Sequence, residues 1–130
     1  ECLCGFEIKS TEDMVRAAEV IGKNLKGCVL IKGGHLTETA DDLLYHQGEL
    51  LWYRGERVDN PNTHGTGCTL SSAIASNLAL GYDMKTSVKN AKDYITGALK
   101  DGLDLGKGSG PLNHAYRICP NSTDENLGEC

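Results

Sequence analysis

The spacing of apolar and polar positions divides the chain into helical and extended stretches. Between Ser10 and about Asn24, Met14, Ala17, Ala18 and Ile21 recur at helical intervals and predict the buried stripe of an amphipathic helix. Ser10 followed by Asp13 has the form of a capping box that opens it. Lys26-Gly27 ends that helix, and Cys28-Val29-Leu30-Ile31 follows as a continuous apolar run. Too short for a helix and rich in β-branched residues, the run predicts a strand buried on both faces of a parallel sheet. Leu43–His46 and Leu50–Arg54, either side of Gln47-Gly48-Glu49, predict a hairpin at the sheet edge, with a short strand added at Arg57-Val58. Apolar residues at 70, 73, 74, 78 and 80 predict a second helix ending near Gly81. Val88, Ala91, Ile95, Ala98 and Leu99 predict a third, from about Lys85 to Lys100. Residues 102–111 read as a glycine-rich loop, with a last short helix starting at Pro111 or Leu112. The polar tail 119–130 is expected to be disordered. Helix, buried strand and hairpin in succession make an α/β fold with a mixed sheet.

The 130 residues suffice for one domain with a core, not for two. A net charge of -5 speaks against nucleic acid or an anionic membrane surface as partner. No apolar run reaches the length of a membrane span, and no signal-peptide pattern opens the chain, so a cytoplasmic protein is expected. Six cysteines do not form a framework: Cys2 and Cys4 are too close to pair, and Cys119 and Cys130 are too far away to complete a zinc spacing. Reduced thiols are the expectation. Four scattered histidines show no metal-site pattern.

The chemistry concentrates in Asn62-Thr63-His64-Gly65-Thr66-Gly67-Cys68-Thr69, a glycine-bearing loop that runs into the second helix. The first turn of a helix presents amides without intrahelical partners and the positive end of the helix dipole, which together suit an anion. Cys68 sits in that field, where a thiolate forms more readily than from a free thiol; the alternative is a small residue tolerated there. Lys32 follows the buried strand, at the end of the sheet where open α/β folds bind ligands; a solvated lysine is the alternative. Gly33-Gly34 would allow close backbone approach, and His35 and His64 flank the same two loops as phosphate ligands or as turn residues. Gly106-Lys107-Gly108-Ser109-Gly110 is not a P-loop, because Gly108 stands where Ser or Thr is required and no buried strand precedes it.

Three strings in order carry a resemblance: Val29-Leu30-Ile31-Lys32-Gly33-Gly34-His35-Leu36, His64-Gly65-Thr66-Gly67-Cys68-Thr69 with its small-residue helix, and Gly108-Ser109-Gly110-Pro111-Leu112-Asn113-His114. Together they resemble the hydroxymethylpyrimidine and phosphomethylpyrimidine kinases of thiamine biosynthesis, of the ribokinase-like superfamily, across most of residues 1–118. The resemblance implies the C-terminal half of a three-layer α/β/α sandwich with a mixed sheet and an edge hairpin. It implies ATP-dependent phosphorylation of the small-molecule hydroxymethylpyrimidine, then of its phosphate, with Mg2+. Cys68 would be the proton acceptor where the wider superfamily has aspartate, and Gly65, Thr66, Gly67 and Cys68 would form the anion hole. Lys32, Gly33, His35, His64 and Asn113 would lie on the nucleotide and phosphate side. Pyridoxal kinases share the fold and some share the cysteine, so vitamin B6 phosphorylation is the runner-up; a nucleotide-binding remnant without turnover is the third reading. The family's N-terminal substrate residues and its Asn-x-x-Glu motif have no counterpart here. The chain alone is therefore expected to be inactive, and to pair with the missing N-terminal half or with itself.

Overall fold

The computed structural model describes residues 1–33, 40–55, 65–101 and 110–118. The chain resolves into two compact units, Glu1–Arg57 and Val58–Cys130.

In the first unit, helix α1 (Thr11–Gly22) packs on a sheet of β1 (Val29–Ile31), β2 (Asp42–His46) and β3 (Glu49–Tyr53), ordered β1-β2-β3. The expected capping box forms: the Asp13 amide donates to Ser10 Oγ at 3.1 Å, and the Ser10 amide donates back to Asp13 Oδ2 at 3.1 Å. It satisfies two of the amides that a helix start leaves unpaired. Met14, Ala17 and Ala18 are buried, and Met14 and Ala18 pack with Leu43 of β2, flanked by Ile8, Val15, Ile31 and Tyr45. The hairpin turns on Gln47 and Gly48, both at positive φ (50° and 88°), as a two-residue connection between right-twisted strands requires. As expected, this hairpin places β3 at the edge of the described sheet.

The strand after α1 departs from expectation. β1 runs antiparallel to β2, with Val29 opposite Tyr45 and Ile31 opposite Leu43, so every pairing among the described residues is antiparallel. Only Val29 of β1 is buried; Leu30 and Ile31 are half-buried. A continuous apolar run reports burial, but the direction of its partner is decided by the path of the chain. Arg54 lies past the end of β3, and the strand expected at Arg57-Val58 lies outside the described residues.

The second unit is built on helices α2 (Thr66–Ala79) and α3 (Met84–Asp101), which pack against each other. Between them, Gly81 at φ 91° closes α2: its amide donates to the Leu78 carbonyl at 3.0 Å, and the Tyr82 amide donates to the Asn77 carbonyl at 3.1 Å. This is the Schellman arrangement, and it needs a residue at ease in the left-handed region. Asp83 caps α3, accepting the Thr86 amide at 2.7 Å. α3 buries Ser87, Val88, Ala91, Ile95 and Ala98, four of them apolar, whereas α2 buries Leu70 alone. The two helices are tied by Asn90 Nδ2, which donates to Asn77 Oδ1 at 2.9 Å. The short helix expected from Pro111 or Leu112 is replaced by turns through Ile118, including a bond from the Tyr116 amide to the Asn113 carbonyl at 3.4 Å. Tyr116 lies so close over α3 that a Cβ at Gly97 would overlap its ring. Residues 102–109 and the tail 119–130 lie outside the described residues.

Candidate active site

Helix α2 begins at Thr66, earlier than the loop-then-helix pattern suggests, so Thr66, Gly67 and Cys68 form its first turn rather than the end of a loop. Gly65 is the N-cap at φ 84°, ψ -4°, a left-handed geometry that a side chain strains, and no side chain caps the helix. The Thr69 amide donates to the Gly65 carbonyl at 2.9 Å, the first rung of the ladder. The amides of Gly67 and Cys68 therefore belong to the turn that precedes the ladder, at the positive end of the helix dipole.

Cys68 is exposed and opens onto a cleft of about 780 Å³ within the second unit. On the α2 side, Thr69, Ser72, Ser76 and Asn77 continue the wall; Asn90, Asp93 and Tyr94 of α3 face it, and His114 and Arg117 complete it. Tyr94 Oη donates to the His114 carbonyl at 3.0 Å and lies 3.2 Å from His114 Nδ1. Their rings are stacked at 6.3 Å between centroids. Arg117 Nε donates to Tyr116 Oη at 2.8 Å, which orders the guanidinium at the rim. Neither Tyr94 nor Arg117 is singled out by the sequence. Position 94 belongs to the helical stripe of 87, 91 and 98, and that periodicity was the available signal.

Asn113 is buried: its Nδ2 donates to the Asp101 carboxylate at the end of α3, and its Oδ1 accepts the Ala115 amide at 3.1 Å. It thus holds the segment that carries His114 against the end of α3. In the first unit, Lys32 is exposed one residue past β1. The buried Gly33 donates its amide to Asp42 Oδ1 at 3.1 Å, and a Cβ there would overlap the Asp41 carbonyl oxygen. The backbone that approaches this glycine closely is thus the chain's own. His35 and His64 lie outside the described residues.

The shifted acids sit at helix starts. The Thr86 amide beside Asp83 holds its carboxyl below the usual carboxylate range, and the Lys9 amide does the same for Asp13. Among the described residues, no group of three or more His, Cys, Asp or Glu is placed to hold a metal ion. No helix among them is long and apolar enough to cross a membrane.

Residues 1–113 match the family described as Phosphomethylpyrimidine kinase. The chain is 44% identical over 116 residues to the hydroxymethylpyrimidine/phosphomethylpyrimidine kinase of Streptomyces coelicolor, covering 89% of this chain and 43% of that protein. Among solved structures, a Bacillus subtilis pyridoxal kinase in complex with ADP superposes with a TM-score of 0.79 at 37% identity, over 88% of this chain and 45% of the other. A phosphomethylpyrimidine kinase from Clostridium difficile superposes with a TM-score of 0.58 at 41% identity, over 71% of this chain and 36% of the other. The fold is thus part of a ribokinase-like kinase, and the chain spans less than half the length of these relatives.

Proposed function

Because the chain belongs to the phosphomethylpyrimidine kinase family, we propose that it supplies the phosphoryl-transfer side of an ATP-dependent kinase for hydroxymethylpyrimidine and its phosphate, acting in the cytoplasm. The observation that carries this reading is the start of α2: a left-handed Gly65, a first turn of Thr66-Gly67-Cys68, and an exposed thiol at its edge. As the acceptor oxygen bonds to the γ-phosphorus and the bond to ADP breaks, the transferred phosphoryl group carries its negative charge on three equatorial oxygens. Amides fixed in a helix first turn stabilise that charge without reorganising. The Cys68 thiolate accepts the proton that the attacking hydroxyl loses. Lys32, His35 and His64 serve the nucleotide phosphates, and Asn113 shapes the nucleotide side through the His114 segment. Mg2+ carried by the nucleotide, rather than by a carboxylate cluster of the described residues, would supply counter-charge to its phosphates.

The superposition on a pyridoxal kinase favours pyridoxal as the second acceptor to test. A direct test measures adenine-nucleotide binding by calorimetry and turnover by a coupled ADP assay, for the chain alone and joined to the part of the kinase domain that it lacks. The chain alone should bind nucleotide weakly and turn over nothing, since positioning of the acceptor is absent. The joined enzyme should phosphorylate hydroxymethylpyrimidine faster than pyridoxal. Ordinary turnover by the chain alone, or a preference for pyridoxal, overturns the reading.

A further inference from the structure

Three positions of α3, Tyr94, Gly97 and Asp101, meet the segment that follows the helix, and spacings of three and four put them on one face. Asp101 accepts from Asn113 Nδ2, Tyr94 bonds His114, and the bare backbone of Gly97 leaves room for the Tyr116 ring. His114 is thus held between anchors at 113 and 116, and the hydrogens in its own contact with Tyr94 can be counted. A tyrosine hydroxyl has one hydrogen to give and lone pairs to accept with. The His114 carbonyl lies 3.0 Å from Tyr94 Oη and has no other donor among the described residues, while Nδ1 lies at 3.2 Å. The hydroxyl hydrogen therefore goes to the carbonyl. Nδ1 must then carry a hydrogen of its own and donate it to Oη, since two bare lone pairs facing each other would repel.

We propose that Tyr94 is a positioning residue that holds neutral His114 as its Nδ1–H tautomer, leaving Nε2 as the ring's acceptor on the cleft that Cys68 also lines. A free imidazole carries its hydrogen mainly on Nε2, so the fold reverses the ordinary preference. The reversal decides what His114 can recognise. A bare Nε2 accepts from an amine or a hydroxyl and repels a phosphate oxygen, which brings only lone pairs. Resting on the nucleotide reading above, the proposal assigns His114 to a hydrogen-bond donor of the nucleoside, the base amine or a ribose hydroxyl, and not to the phosphates.

The test reads the tautomer directly. Long-range nitrogen–proton correlation spectra of the full chain with isotopically labelled histidine, in alkaline buffer where imidazole is neutral, should show the His114 hydrogen on Nδ1. His114→Gln identifies its signals. Tyr94→Phe, which keeps the ring and removes the hydroxyl, should return the hydrogen to Nε2, whereas a merely structural tyrosine would leave the tautomer unchanged. A hydrogen on Nε2 in the parent, or the same tautomer in Tyr94→Phe, overturns the proposal. If Tyr94→Phe loses its fold by circular dichroism, the parent spectrum decides alone. The ligand group is read by calorimetry with ADP, with IDP, which has a carbonyl in place of the base amine, and with ADP lacking both ribose hydroxyls. One analogue should bind the parent about threefold to tenfold more weakly than ADP, as for one lost hydrogen bond, and the difference should vanish in His114→Ala. Weakening with IDP assigns the amine, and weakening with the other analogue assigns the ribose. No difference with either, or a difference that survives His114→Ala, overturns the ligand assignment. Absence of ADP binding overturns the nucleotide reading, while the spectra still decide the tautomer.

Discussion

α2 and α3 are neighbours that pack on each other, and they are written in opposite ways. α3 is eighteen residues long, buries five of them on one stripe and carries lysines and aspartates on the other side. α2, at fourteen residues, has no charge, buries one residue and begins on a left-handed glycine. α3 therefore finds its partner inside its own unit, and its sequence shows where. α2 carries no such stripe, and its first turn is kept clear of side-chain caps. The contrast teaches that amphipathicity marks which face of a helix is buried, while an uncharged run of small residues leaves that face unmarked.

The largest effect that can break or sharpen this comparison lies at the α2 start. In the joined enzyme, Cys68→Ala should lower turnover by about 10²–10⁴-fold if the thiolate takes the proton, with Cys68→Asp keeping part of the rate. A loss below about tenfold would show that the backbone of the turn does the binding and the thiol is incidental.

Next come paired truncations, one on each helix, followed by urea denaturation of the chain. Ile95→Ala, in the buried stripe of α3, should cost about 2–4 kcal/mol through lost burial and the cavity left behind. Leu78→Ala, on the outer face of α2, should change stability by less than about 0.5 kcal/mol in the chain alone. Comparable losses at the two positions would erase the contrast drawn above.

The smallest effect concerns the cap that α3 has and α2 lacks. The Asp83 carboxyl is held below its ordinary range in the folded chain, so its charge stabilises the fold above the unfolded value of about 3.9. That contribution is lost as pH falls through the folded value. Thermal melts should therefore place Asp83→Asn below the parent near neutral pH, with the gap closing under acid. A gap independent of pH would remove the charge from the account of the cap.

Much of the local structure was legible because local chemistry decides it. Ser10 and Asp13 can satisfy each other's amides wherever they stand, the stripes of α1 and α3 follow from helical period, and Gln47-Gly48 suits a tight hairpin turn. The helix after Gly65 was legible too, although its start was not: Thr and Gly have weak helix propensity, and only the left-handed N-cap places them inside the first turn.

What needed tertiary structure involves residues distant in sequence. The apolar run at Val29–Ile31 could not declare its antiparallel partner, since strand direction depends on where the chain returns. Gly33 read as room for a ligand, and the fold fills that room with the Asp41 carbonyl. Tyr94, His114 and Tyr116 become one aromatic wall only when the chain after α3 folds back along it, over a glycine at position 97 that no period could mark. By itself the sequence determined the family motifs, the helix stripes and the caps, because these rest on short-range sterics and hydrogen bonds. The tertiary structure decided strand direction and the cleft beside Cys68, because each depends on which distant surfaces meet.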